Sequence, residues 1–414
     1  MSDSTKWWPV FLELLRRRNP ALLTAAADLA LQRRIPPNTF VLDRDAIAAN
    51  AAAIRAEAES VGLALYFMTK QIGRNPLITE ALVGAGGDET VAVDIADANA
   101  LLAHGFRLGH IGNLVQVPTI DIPRIVAGGP EVISVFSAAK ARQIAAEAHR
   151  QGRTQDLLIR VADPARDTYL PGMDGGVPID DLRSTAGEIA ALPGVRVVGV
   201  TTFPALAYSE AAKPVPTENF TTLLRARDIL AGMGLEIHQV NAPGNTSVYT
   251  LRTQAELGAT HVEPGHGFLG TTPYHLVQDL PEIPAACYVT EVAHHVGDRA
   301  YVYGGGFFVD DPVWLDPGFR RTVMVGNSLE EIHEHREEFH GAGSGATGGF
   351  GGIDYYGYIS GSPQTAPVGS TVVMGFRIQS FVTRANIAVV STAGGRPELH
   401  GVFDQAGNRL PTYV

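Results

Sequence analysis

From residue 38 to about residue 264, short apolar runs alternate with alanine- and leucine-rich stretches. The runs are ALYFM (64–68), TVAVD (90–94), LGHIG (108–112), VISVF (132–136), DLLIRV (156–161), VRVVGVTT (195–202), EIHQVN (236–241) and THVEP (260–264). They are short and mostly β-branched or aromatic, which predicts strands. The stretches between them carry helical spacing, as in AAKARQIAAEAHRQG (138–152) and ENFTTLLRARDILAGMG (218–234). Most end in glycine, the usual helix C-cap. FVLDRDAIAANAAAIRAEAESVG (40–62) reads as a lead-in strand and helix, with the N-cap at Asp43 or Asp45. Strands alternating with helices predict parallel strands joined by crossovers. Eight such units over roughly 220 residues fit a closed (β/α)8 barrel better than an open sheet.

The pattern changes after about residue 285. ACYVTEVAHHVGDRAYVYGGGFF (286–308) predicts two strands turned at Gly297 and Asp298, and GSTVVMGFRIQSFVTRANIAVVSTAGG (369–395) predicts more strands. SLEEIHEHREEFHG (328–341) reads as helical or irregular, and GAGSGATGGFGG (341–352) as a loop. At the N-terminus the apolar stretch Trp7 to Leu15 precedes Arg16, Arg17 and Arg18, the reverse of a signal peptide. Residues 7–18 therefore read as an amphipathic helix packed on the body or on a partner subunit. The expected division is an N-terminal helical segment (1–37), the barrel (38–285) and a mainly β domain (286–414), an α/β fold class overall.

Composition adds boundaries. A chain of 414 residues that is 45% hydrophobic and 18% charged suits a soluble protein of two domains. A net charge of −11 opposes a nucleic-acid partner, whose phosphates need a basic face. The one cysteine, Cys287, forms neither an internal disulfide nor a zinc spacing, which fits the cytoplasm. No apolar span of 18 residues predicts a membrane crossing.

Barrel chemistry belongs at the C-terminal ends of the strands. Those ends carry Lys70, Asp94, His110 with Asn113 and Gln116, Arg160, Thr201 and Thr202, then NAPGNTS (241–247) and EPGHG (263–267). Lys70 ends an otherwise apolar run, so it is either a strand end reaching water or a buried amine with a task. In NAPGNTS, Gly244 lets the backbone approach a ligand, while Asn245, Thr246 and Ser247 precede a helix start, where anions bind. Gly265 and His266 lie in the second loop. Each loop alone reads first as an ordinary glycine turn. A strand-end lysine facing a phosphate cup points to pyridoxal 5'-phosphate (PLP), held by lysine as a Schiff base. Glu263 supplies a carboxylate for the ring nitrogen.

These residues resemble those of the fold-type III PLP enzymes, the group of alanine racemase and ornithine decarboxylase. The resemblance covers roughly residues 38–414 and is closest to the YhfX-type, alanine-racemase-like branch. YFMTKQIGRNP (66–76) resembles the lysine motif, and VEPGHGFLGTTP (262–273) the strand-eight motif. Racemases of the group place arginine there and decarboxylases glutamate, so Glu263 sides with the decarboxylases. The group builds its sites across a homodimer interface. GGFGGIDYYGYI (348–359) occupies the position of the decarboxylase cysteine loop but has no cysteine, so Tyr355 or Tyr356 is the implied acid–base, with interface packing as the alternative. The resemblance also implies substrate contacts from Arg160, Asp167, Tyr169 and MDGG (173–176), and contacts from Arg377, Gln379 and Arg384 to the partner's PLP phosphate or the substrate carboxylate, with solvated strand charges as the alternative for these three. Arg160 reads equally as a structural ion-pair residue. His110 is implied either to stack on the cofactor or to serve as a hydrogen-bonded core histidine. His294 and His295 are adjacent on a strand, so at most one faces a site. No histidine–cysteine metal pair is present, so no metal is expected. The implied activity is an amino-acid racemase or epimerase, with a decarboxylase, lyase or aldolase, or a non-catalytic PLP carrier, as alternatives.

Overall fold

A computed structural model describes the chain except residues 1–9, 88, 167–174, 209–212, 305–320, 341–354, 378–383, 395 and 412–414. Asp167, Tyr169, Gln379 and all of the 341–352 loop therefore lie outside the described residues. The chain forms two compact units, Ala51–Lys70 with Leu82–Gly267, and Met1–Asn50 with Gln71–Ala81 and Phe268–Val414.

The first unit contains the barrel. Its parallel strands run Ala64–Leu65 and Phe67–Met68, Thr90–Ala92, Leu108–Ile111, Val132–Val135, Gln155–Ala162, Val195–Thr201, Gln239–Asn241 and His261–Val262. The run 64–68 is broken at Tyr66. Ala64–Leu65 pairs with the last strand, His261↔Ala64, and Phe67–Met68 pairs with the second, Phe67↔Thr90. The two ends of the sheet are thus halves of one strand, and the barrel closes on eight strands, as the alternation predicts. Tyr66, Met68, Val91, Val132, Leu158 and Val198 form a buried cluster in this unit.

The strand ends feed directly into helix caps. Asp94 accepts from Asp97 N at 2.9 Å and starts the helix Ile95–Ala103. Ser137 caps Ala138–Arg150, and Thr217 caps Glu218–Ala231. Such side chains satisfy amide hydrogens that a first helical turn leaves without partners. Asp94 is thus occupied by this structural task.

The second unit is a nine-stranded sheet, in the order Arg299–Tyr303, Tyr356–Ser360, Arg336–His340, Arg321–Gly326, Thr371–Met374, Ala286–Val296, Thr39–Asp43, Asn386–Ser391 and Glu398–Phe403. All neighbours are antiparallel except Thr39–Asp43 with Asn386–Ser391. The lead-in strand thus lies inside this sheet. SLEEIHEHREEFHG splits into a short helix, Leu329–Glu334, and the strand Arg336–His340, so half of it is β. The helices Val10–Arg18 and Pro20–Leu31 contribute Leu12, Leu15, Leu22 and Leu23 to a core with Val41, Val289, Met324 and Val373. Asp43 is the N-cap of Arg44–Ser60, accepting from the amides of Asp45 and Ala46 at 3.2 and 3.3 Å. It also accepts from Asn19 Nδ2 at 3.0 Å and Thr392 Oγ1 at 2.6 Å. Among the described residues no helix is long and apolar enough to cross a membrane.

Candidate active site

Closure of the barrel brings the first and last strands side by side. Met68 N donates to the Pro264 carbonyl at 3.0 Å. The segment leading to Lys70 therefore runs beside the one that follows Glu263. Lys70 opens a short 3-10 turn, Lys70–Ile72, immediately beyond the strand, and is half-buried.

Glu263 is buried, and its position is set by two neighbours. Its Oε1 lies 2.6 Å from His110 Nδ1 and accepts from Asn241 Nδ2 at 2.7 Å. His110 Nε2 lies 2.6 Å from Ser134 Oγ. Both ring nitrogens of His110 are therefore engaged, and its ring sits 5.8 Å from that of Tyr66. The second carboxylate oxygen, Oε2, has no hydrogen-bond partner among the described residues. Asn241 Oδ1 is buried and also lacks one. A buried acceptor without a donor is costly, about 1–3 kcal/mol, so Asn241 Oδ1 calls for a donor, and Glu263 Oε2 is open to accept one from a ligand.

Nearby groups are tuned by burial. His261 stacks on Tyr66 at 5.3 Å, and burial, reinforced by His110, lowers its pKa to about 4, so it is neutral near pH 7. Burial and the charge of Glu131 push the Tyr66 phenol well above its ordinary range. That phenol oxygen donates its one proton to Glu131 Oε1 at 2.8 Å and lies 3.0 Å from the Gln239 side-chain amide.

The two glycine-bearing loops pack against each other. A Cβ on Gly267 would lie 2.6 Å from the Thr246 carbonyl oxygen. Gly244 has φ of +151°, and a Cβ there would lie 3.0 Å from Leu206 N. Asn245 is left-handed, with φ of +49°. Ser247 begins the helix Val248–Glu256, and its Oγ is buried with no hydrogen-bond partner. Thr246, its neighbour in sequence, is buried, as are Gly265 and His266 in the loop after strand eight. A helix start carrying an unsatisfied hydroxyl suits a phosphate. The residues present thus fit PLP: a strand-end amine, a carboxylate with an open oxygen, and an anion cradle.

Arg160 is buried, stacks 5.0 Å from the Phe136 ring and donates to the Asn113 carbonyl oxygen. Thr201 Oγ1 lies 3.4 Å from Asn113 Oδ1, which joins three strand ends in one polar layer. Gln116 bridges Gly112 O and Ser134 O at 2.7 and 2.9 Å, a strap between strands three and four.

Tyr355, Tyr356 and Arg377 belong to the other unit. Tyr355 is 64% exposed, with Arg384 5.4 Å from its ring, and Tyr356 is 39% exposed, edge-on to His294 at 5.1 Å. Arg377 is half-buried. His294 stacks on Tyr301 at 4.7 Å, whereas His295 Nε2 is 2.9 Å from Ala366 O, so the adjacent histidines have different surroundings. Among the described residues no cluster of three or more His, Cys, Asp or Glu is arranged for a metal ion.

Two residues of this site escape a reading of strand ends, Ser134 and Asn241. The signal for Ser134 was a single hydroxyl inside the apolar run VISVF. Asn241 opens NAPGNTS, a stretch whose glycine and hydroxyls are its stronger signal.

Residues 42–273 match the model of the alanine racemase N-terminal domain, and residues 287–399 that of the YhfX-like C-terminal domain. This chain belongs to the alanine racemase-type family, in its YhfX-like branch. It is 37% identical over 407 residues to the uncharacterized protein YhfX of Escherichia coli K12, covering 97% of this chain and 100% of that one. Solved structures share the fold at lower identity. D-threonine aldolase from Filomicrobium marinum is 14% identical with a TM-score of 0.58, over 89% of this chain and 95% of that one. D-threo-3-hydroxyaspartate dehydratase from Delftia sp. HT23 is 16% identical with a TM-score of 0.60, over 89% and 97%. Alanine racemase from Corynebacterium glutamicum is 18% identical with a TM-score of 0.55, over 82% and 90%. The fold is thus that of the alanine racemase group, a barrel followed by an antiparallel β domain.

Proposed function

We propose that this protein is a PLP-dependent amino-acid racemase or epimerase, working as a cytoplasmic homodimer with shared active sites. The observation that carries the PLP part of this reading is Glu263, a buried carboxylate with Oε1 held by two neighbours and Oε2 open, on the strand beside the one ending in Lys70. PLP, when bound, supplies an electron-poor ring that stabilises negative charge at the substrate α-carbon.

The chain's own residues divide the remaining work. Lys70 anchors the cofactor and exchanges the α-proton on one face through Nζ. Glu263 holds the ring nitrogen. Gly244, Asn245, Thr246, Ser247, Gly265 and His266 take the phosphate, and Arg160 the substrate carboxylate. Tyr355 or Tyr356 of a second copy exchanges the proton on the opposite face. Racemisation is favoured by the pair of tyrosines where the decarboxylase pattern has cysteine. A lyase or decarboxylase reading rests on Glu263 itself, because a carboxylate keeps the ring protonated and strengthens its pull on electrons. The aldolase and dehydratase among the fold relatives keep that second reading in view.

The test is an absorbance spectrum of purified protein with PLP, before and after borohydride, with Lys70→Ala as control. The expected result is a visible band lost on reduction, with the pyridoxyl group on Lys70 by mass spectrometry. Amino acids are then screened for α-proton exchange, inversion and CO2 release. No band in wild type after added PLP would sink the cofactor reading. A band without turnover of any amino acid would leave a PLP carrier.

A further inference from the structure

Ser134, His110 and Glu263 form a linear hydrogen-bonded series, with contacts of 2.6 Å at both ends of the imidazole. The connectivity is that of a serine hydrolase triad. Burial excludes that use: Ser134 and His110 are both 0% exposed, so no acyl group can reach the hydroxyl. The series must act on its other end, the carboxylate.

The donors can be assigned from their partners. Asn241 Nδ2 and His110 Nδ1 both address Glu263 Oε1, and both must donate, because a carboxylate only accepts. Their own 3.2 Å separation is then the meeting of two donors on one oxygen. With the ring proton on Nδ1, Nε2 is left to accept from the Ser134 hydroxyl, 2.6 Å away. Ser134 thus selects the tautomer that gives its proton to Glu263. Two donors concentrate negative charge on Oε1 and fix the carboxylate rotamer. Oε2 keeps one orientation as the acceptor left over.

We propose that His110 is a positioning residue: the Ser134–His110 pair holds the Glu263 carboxylate in one orientation, and so sets whether the ring nitrogen of PLP is held protonated. This rests on the cofactor reading above and adds that the carboxylate alone does not suffice. It assigns His110 a role through Glu263 rather than through contact with the cofactor.

Three variants separate a hydrogen-bonding role from packing. His110→Phe keeps the volume and loses both bonds. His110→Asn loses volume but returns an N–H near the Nδ1 position. Ser134→Ala removes only the outer partner. PLP labelled with 15N at the ring nitrogen reports protonation by NMR, and titration with PLP reports affinity.

In wild type the ring nitrogen is expected in its protonated position. In His110→Phe it moves toward the neutral position, and PLP binds about ten- to a hundredfold more weakly, the effect of losing a hydrogen bond to a charged group. His110→Asn recovers most of this, and Ser134→Ala falls between Asn and wild type. If His110→Phe matches wild type, or surpasses His110→Asn, the residue serves packing and the proposal is overturned. Should a variant fail to fold, the 15N spectrum of His110 in wild-type protein without PLP decides: Nδ1–H supports the relay, and the Nε2–H tautomer overturns it. That last measurement stands even if wild type binds no PLP, so the two readings can fail separately.

Discussion

Gly244 lies against the backbone of Leu206, so near that a Cβ would sit 3.0 Å from Leu206 N and 3.1 Å from Ala205 N. Ala205 N also donates to the Pro243 carbonyl at 2.8 Å. The loop after strand six therefore braces the candidate phosphate loop after strand seven, with room for hydrogen and nothing larger.

The first prediction follows from that contact. Gly244→Ala adds a methyl where the backbone cannot retreat, at a φ that favours glycine. A loss of about 1–3 kcal/mol in urea unfolding is expected. PLP affinity is expected to fall by at least about tenfold, because the cradle shifts. Unchanged affinity would mean that the loop holds no phosphate.

Tyr355 and Tyr356 are exposed phenols, so replacing either by Phe should leave stability within about 0.5 kcal/mol. If one is the opposing acid–base, its Phe variant loses about 10²–10⁴ in turnover while PLP binding is unchanged. Exchange of the α-proton in deuterated water would continue on the Lys70 face and stop on the other. Equal, mild effects from both variants would assign the pair to packing. Light scattering of the same samples should give a dimer.

Two buried histidines predict an acid limit to stability. Burial, with Arg18 nearby, lowers the pKa of His275 to about 3, and burial, with His110, lowers that of His261 to about 4. Unfolded, both rings protonate near 6.5. As pH falls below about 6.5 the unfolded chain takes up protons that the folded chain refuses, so stability is complete above that value and declines toward pH 4 and then 3. His275→Asn should flatten part of the slope between pH 7 and 5, by about 1–2 kcal/mol. It also preserves a partner for the Thr272 hydroxyl, now 2.7 Å from Nδ1. An unchanged slope would show that His275 protonates while folded.

Asp43 ties the N-terminal helices to the sheet through Asn19 and Thr392 and caps the helix Arg44–Ser60. Asp43→Ala removes the cap and strands buried Asn19 and half-buried Thr392. About 2–4 kcal/mol of lost stability is expected, read as a lowered urea midpoint. Asp43→Asn should recover part of it, since an amide oxygen still accepts.

Much of the fold was legible because it is written in short-range periodicity. Each apolar run and each capped helix repeats on a scale of two to four residues, and the count of eight follows directly. Lys70 was visible as a charge closing an apolar run, and NAPGNTS as a glycine before a helix start. SLEEIHEHREEFHG was harder. Its charges suit either a helix face or an edge of a sheet, and pairing with Arg321–Gly326 and Tyr356–Ser360 decided that half of it is strand.

By itself, then, the sequence determined the alternation, the barrel and the residues that end its strands, because propensity and side-chain period are local properties. Only the tertiary structure decided which of those ends work together. His110 and Glu263 are 153 positions apart, and their 2.6 Å contact exists because closure at Tyr66 curls the sheet until strands three and eight face one interior. Thr39–Asp43 likewise reads as a prelude to the barrel, yet it pairs between Ala286–Val296 and Asn386–Ser391. A strand's own residues show that it needs neighbours on both edges; which neighbours it finds depends on hydrogen bonds available far along the chain.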